Sequence, residues 1–131
     1  MDQKLPYGIE AITSIPGATQ VMDWFGRWPT FHDAYLIDLV LSTWQPCLLR
    51  VLLSKDPGRP FIKENEGMVT FCIEQPIHYE IEGTRPGGAL LGLTIYHHAS
   101  GCEISVEGDV VNGVIVTRAI SRVALSIWPP T

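Results

Sequence analysis

From Ile77 to Glu82 the side chains alternate without a break, Ile77, Tyr79 and Ile81 against His78, Glu80 and Glu82. A period of two belongs to an extended strand with one face on a core and the other in water. Antiparallel sheets provide that setting, because parallel strands are covered on both faces. Ten prolines and twelve glycines among the 131 residues cut the chain into short pieces, so turns are frequent and long helices have no room.

The rest of the chain reads in the same terms. From Ala34, Tyr35, Ile37, Leu39 and Leu41 fall on one face and Leu36, Asp38, Val40 and Ser42 on the other. Both faces are largely apolar, which predicts a central strand covered by a helix. Gln45-Pro46 makes a turn and Cys47 to Ser54 returns as a hairpin partner. Lys55 to Gly67 is polar and reads as a surface loop. Met68 to Glu74 is a strand with Val69, Phe71 and Ile73 inward, and Pro76 marks a bend or bulge. After a loop at Thr84 to Gly88 come Ala89 to His97, a turn at Ser100-Gly101, and Cys102 to Glu107. Asn112-Gly113 between Val111 and Val114 reads as a type I′ hairpin turn. Val114 to Ala119 and Arg122 to Trp128 complete the sheet, and Pro129-Pro130 ends it. Ahead of all this, residues 1–17 read as an irregular arm broken at Pro16-Gly17. A short helix over 18–26 follows, with Gly26 as its left-handed stop. The expectation is a single β-rich α+β domain, with an antiparallel meander of roughly seven or eight strands over 34–128 and one or two short helices.

Charge and cysteine content limit the function. The net charge is −5 and the cations are scattered, which argues against nucleic acid and anionic membranes as partners. Cys47, Cys72 and Cys102 are odd in number, lack CxxC spacing and lie in or beside apolar runs, so reduced, buried thiols are expected. Met1 to Pro6 lacks the apolar core of a secretory signal, and no apolar run approaches the ~20 residues of a membrane span. The expected compartment is the cytoplasm.

Catalytic and metal signatures are missing from the sequence. It has no HExxH, no zinc-spaced Cys/His pair and no GxSxG elbow, so no enzyme, cofactor or metal is expected. His78 and Glu80 share a strand face and, with His97, define the alternative: a small-ligand or metal-binding, enzyme-like domain. The stronger surface feature is acidic. Glu80, Glu82, Glu103, Glu107 and Asp109 fall on neighbouring strands or their ends, where they would attract a cationic partner. Trp24, Trp28 and Phe31 read as packing of the helix and its following turn, with interface anchors as the other reading. A structural subunit of an obligate oligomer is a third possibility.

One stretch carries a family resemblance. Ile15-Pro16-Gly17, a short helix, and then Phe25-Gly26-x-Trp28-Pro29-x-Phe31-His32-Asp33-Ala34 resemble the N-terminal signature of the immunity protein 50 family. The hairpin after it and the alternating strands from Met68 to Trp128 are similar in pattern. One departure follows the motif, where Tyr35 stands at a position often acidic in the family. The resemblance implies a non-catalytic cytoplasmic protein that binds and neutralises a cognate toxin domain of a bacterial polymorphic toxin system. The motif positions are Trp28, Pro29, Phe31, His32 and Asp33. On physical grounds these read as a folding element: Pro29 fixes a turn, Phe31 plugs the core, and His32 and Asp33 point opposite ways and bond open backbone groups. The acidic strands are then the expected contact face for a basic toxin surface.

Overall fold

The computed structural model describes residues 4–44, 46–55, 65–83 and 89–127. Two short helices come first, α1 (Ile9–Thr13) and α2 (Ala18–Phe25). The strands are β1 (Tyr35–Val40), β2 (Cys47–Ser54), β3 (Glu66–Glu82), β4 (Leu90–His98), β5 (Gly101–Gly108) and β6 (Asn112–Ile127). They form one sheet in the order β1-β2-β3-β6-β5-β4, antiparallel throughout. The chain is thus a β-rich α+β protein, built as two meanders, β1-β2-β3 and β4-β5-β6, joined where β3 pairs with β6. An extended segment around Pro6 adds to the outer edge of β4 through a bridge to Tyr96.

β3 and β6 are long because each continues through an expected break. Met68 to Glu74 and Ile77 to Glu82 are one strand, with register shifts between Cys72 and Ile73 and between Pro76 and His78. A bulge tolerates proline because the ladder is already interrupted there. Asn112-Gly113 is not the hairpin turn, which lies at 109–111. Asn112 opens β6 opposite Glu82, and Gly113 pairs with Ile81 and Val106. A Cβ on Gly113 would collide with the Glu80 carbonyl of β3, so the glycine serves close approach of two strands.

β1 also differs from its reading as a central strand. It lies at the end of the strand order, where among the described residues β2 is its only partner strand, and its side chains are half-buried rather than covered, with Val40 exposed. A bulge between Leu36 and Asp38 breaks the alternation. Leu36 pairs with Val51 and Leu39 with Leu49, so these two leucines share the inner face although their spacing puts them on opposite ones. Across the same pair, Arg50 forms a two-pronged ion pair with Asp38, Nε donating to Oδ1 at 2.7 Å and Nη2 to Oδ2. That pairing raises the Arg50 guanidinium further above its ordinary value.

The helices pack into the concave side of the sheet. Ile12, Ile15, Ala18 and Val21 join Leu49, Val51, Val69, Phe71, Ile73, Ile104, Ile115 and Val123 in one core. α1 lies inside the stretch read as an irregular arm; at five residues it is held by burial of Ile12 rather than by propensity. α2 rests on β6 and stops at Gly26, whose φ of 85° is left-handed. The turn at Gln45, residues 56–64 of the polar loop, the Thr84 to Gly88 loop and the end at Trp128-Pro129-Pro130 lie outside the described residues.

The three cysteines are free thiols but not equivalent: Cys47 and Cys102 are buried and Cys72 is only half-buried. Burial pushes the Cys102 thiol up, against weaker opposing bonds with Tyr7 and the Ile120 backbone. Iodoacetamide on the native protein, read by intact-mass spectrometry, should alkylate Cys72 first and leave Cys47 and Cys102 unmodified until the fold opens.

Candidate interaction surface

The stretch from Trp28 to Ala34 closes one edge of the sheet. Asp33 N–H donates to Leu90 O at 2.8 Å, Leu90 N–H to Ala34 O at 2.7 Å, and Leu93 N–H to Thr30 O at 3.2 Å. Tyr35 then bridges Ala89, bringing the start of β1 against the start of β4. Farther along β4, Tyr7 N–H donates to Ile95 O at 2.8 Å and His97 N–H to Leu5 O at 2.8 Å. Two separate segments therefore cover the outer edge of β4, and the sheet curls into a half-barrel.

The closure needs an irregular turn. Phe31 and Asp33 have φ of 65° and 66°, in the left-handed region. For a bulky residue this costs about 1–2 kcal/mol, and burial offsets it. Phe31 is fully buried, 5.8 Å from the Phe71 ring and 5.7 Å from Trp28, which meets it edge-on. The turn also reverses the expected directions of His32 and Asp33. Instead of pointing opposite ways they lie together, His32 Nε2 3.7 Å from Asp33 Oδ1, both side chains mostly exposed. His32 Nδ1 donates to Leu91 O at 3.1 Å, adding a side-chain staple to the closure.

The opposite situation holds at β3. β2 pairs with it only as far as Cys47 opposite Ile73. From Glu74 to Glu82, β3 has β6 on one side and, among the described residues, no strand on the other. Tyr79 pairs with Ile115 of the inner face, yet it is 53% exposed, and Ile77 is 50% exposed. The expectation of an apolar buried face here fails because the sheet no longer continues over it. An open groove of about 410 Å³ runs beside this edge, lined by Leu41, Ser42, Thr43, Cys47, Pro76 and Tyr79. In the same β1–β2 loop, Trp44 is 94% exposed. Sequence patterning placed Leu41, Ile77 and Tyr79 on strand faces and passed over Trp44. The available signal was an aromatic residue directly before Gln45-Pro46, a position where a core side chain has no reason to be.

The acidic residues divide. Glu80 and Glu82 are exposed on β3, Glu107 is exposed on β5, and Asp109 is exposed in the β5–β6 turn. Glu80 pairs with Val114, which pairs with Ser105, so Glu80 and Glu107 share the outer face. Glu103 is on that face too but is only 7% exposed, with Lys4 Nζ 2.7 Å from its Oε2. It is a buried half of an ion pair, not part of an acidic surface. The pairing holds the Lys4 ammonium above its ordinary 10.5, and Lys4 also lies 5.5 Å from the Tyr96 ring centroid. Together these contacts fasten the N-terminal segment beside β4.

His78, Glu80 and His97 do not converge. His78 Nε2 is 3.5 Å from Glu80 Oε1, and both are exposed on the outer face. His97 pairs with Cys102 of the inner face and lies 4.4 Å from the Tyr7 ring. Among the described residues, no group of three or more His, Cys, Asp or Glu is placed to hold a metal ion.

No family model, curated protein or solved structure matches this chain.

Two measurements check the closure. Phe31→Ala should lower the unfolding free energy by about 3–5 kcal/mol in urea titration, whereas Asp33→Gly, which suits its φ, should be neutral or stabilising by up to about 1 kcal/mol. Lys4→Met strands the Glu103 carboxylate and should cost about 1–2 kcal/mol at neutral pH, with Glu103→Gln milder. Because the folded Lys4 value is raised, the tether is at full strength below 10.5 and is lost as pH climbs through the folded value. The gap between native protein and Lys4→Met should therefore narrow in strongly alkaline buffer.

Proposed function

We propose that this chain is a non-catalytic binding protein, an immunity protein that neutralises a cognate bacterial toxin domain in the cytoplasm by covering it. The observation that carries the reading is the groove shared by Leu41 and Tyr79, with Trp44 and Ile77 exposed on the same loop and strand and the exposed carboxylates Glu80 and Glu82 farther along β3. Aromatic anchors next to charge of one sign are what a specific protein interface uses, the aromatics for affinity and the charges for approach and orientation. Ile77 and Tyr79 sit on a strand of a sheet packed against two helices, so little ordering of β3 is required when a partner binds. The resemblance of Phe25 to Ala34 to the immunity protein 50 signature supplies the class of partner. No helix among the described residues is long and apolar enough to cross a membrane.

In this reading the His32–Asp33 turn is a folding element and the partner meets β3. Co-expression with the product of the neighbouring toxin-like gene tests it: a stable complex and restored growth are expected. Absence of both a complex and rescue, for every adjacent product, overturns the proposal. Within a complex, Trp44→Ala and Tyr79→Ala should each raise the Kd by about tenfold or more, with the melting temperature of the free protein unchanged.

A further inference from the structure

The geometry points to strand addition at the edge of β3 over Glu74–Glu82, which no strand covers among the described residues, by an extended partner segment in which basic and apolar residues alternate. This rests on the binding reading above and specifies its contact.

Four observations lead there. First, β2 leaves β3 at Cys47 opposite Ile73, so from Glu74 onward the described residues provide no ladder on that side. Backbone donors and acceptors along such an edge can receive another strand. Second, the two faces of the edge differ. His78, Glu80 and Glu82 pair with Val116, Val114 and Asn112 and lie on the outer face; Tyr79 and Ile81 pair with Ile115 and Gly113 and lie on the inner one. A strand docked alongside must present two matching faces, because its own side chains alternate. Third, the charge is one-signed. Glu74, Glu80 and Glu82 are exposed and the segment holds no lysine or arginine. Outward residues of the added strand are therefore basic. Fourth, the inner side opens on the groove of Leu41, Cys47, Pro76 and Tyr79, about 410 Å³ in volume, which takes an aliphatic or aromatic side chain.

A second copy of this chain is the poorer occupant. It would bring three more carboxylates from the same segment to an edge that already holds three, on a chain whose net charge is −5; like charges across a strand pair destabilise it. Pro76 and the carboxylates also discourage indiscriminate edge pairing, so occupancy depends on a partner that neutralises them.

The test uses synthetic peptides with the full chain. The probe is a capped, seven-residue alternating Lys-Val peptide; the controls are the Glu-Val counterpart and a Lys-Val peptide N-methylated on alternate residues. The expected result is one-to-one binding of Lys-Val by calorimetry, with amide protection rising within 74–82 in hydrogen exchange. Glu-Val and the N-methylated peptide should bind at least about tenfold more weakly. The double variant Glu80→Lys/Glu82→Lys should reverse the preference between Lys-Val and Glu-Val. These side chains are exposed, so the variant should fold, as circular dichroism will show. Failure of Lys-Val to bind, protection mapping elsewhere, indifference to N-methylation, or dimerisation of the chain through this edge would each overturn the inference. The two proposals fail separately. A toxin complex that is weakened by Trp44→Ala and Tyr79→Ala but is indifferent to Glu80→Lys/Glu82→Lys and gains no amide protection within 74–82 sinks strand addition and leaves the immunity reading standing. Peptide capture at β3 without any toxin partner does the reverse.

Discussion

The closure of the outer edge of β4 is the constraint on which the rest of this architecture depends. An open antiparallel sheet has two raw edges, and here the edge of β4 is covered by two pieces of chain that precede the sheet in sequence, residues 5–7 and 30–34. Their backbone bonds force the sheet to curl, and the curl creates the concavity that α1, α2 and Phe31 fill. Burial of Phe31 and the left-handed turn that places it are thus coupled: without the core there is nothing to offset the backbone conformation, and without the turn the core lacks its plug. The Lys4–Glu103 pair secures the other end of the same edge.

Much of this was legible in the sequence, for identifiable reasons. Val69, Phe71 and Ile73 face inward as their alternation requires, and Gly26 ends α2 in the left-handed conformation that glycine adopts cheaply. What escaped was whatever depends on a bulge or on where a neighbour stops. The single extra residue between Leu36 and Asp38 exchanges the faces of β1, and no periodicity announces it. Tyr79 alternates like a core residue and is exposed only because β2 has already ended. Asn112-Gly113 has turn chemistry but answers to the proximity of Glu80. Pattern reports which residues share a face; it does not report which faces find a cover.

The candidate site was legible to a lesser degree. Glu80, Glu82, Glu107 and Asp109 are exposed on adjoining elements, as clustering on neighbouring strands requires, but Glu103 is not, because the N-terminal segment returns to pair with it. That contact joins residues far apart in the chain, Lys4 and Glu103, and leaves no local trace. The apolar half of the surface was misread: Leu41, Ile77 and Tyr79 alternate like strand residues with a covered face, but Leu41 lies beyond the end of β1 and the other two lie where β2 has ended, while Trp44 sits in the connection, where no periodicity applies.

The length of β2 has one more consequence. β3 offers a single edge that β2 occupies from Glu66 to Ile73 and then vacates. The boundary between the occupied and vacant parts is set where the chain turns from β1 into β2, outside the core. A few residues inserted or removed in that connection would lengthen or shorten the vacancy, touching the core only where Ser42 bonds the Cys47 thiol. Surface diversification in this architecture therefore has a cheap lever: the reach of one hairpin gauges how much of its neighbour is left on offer.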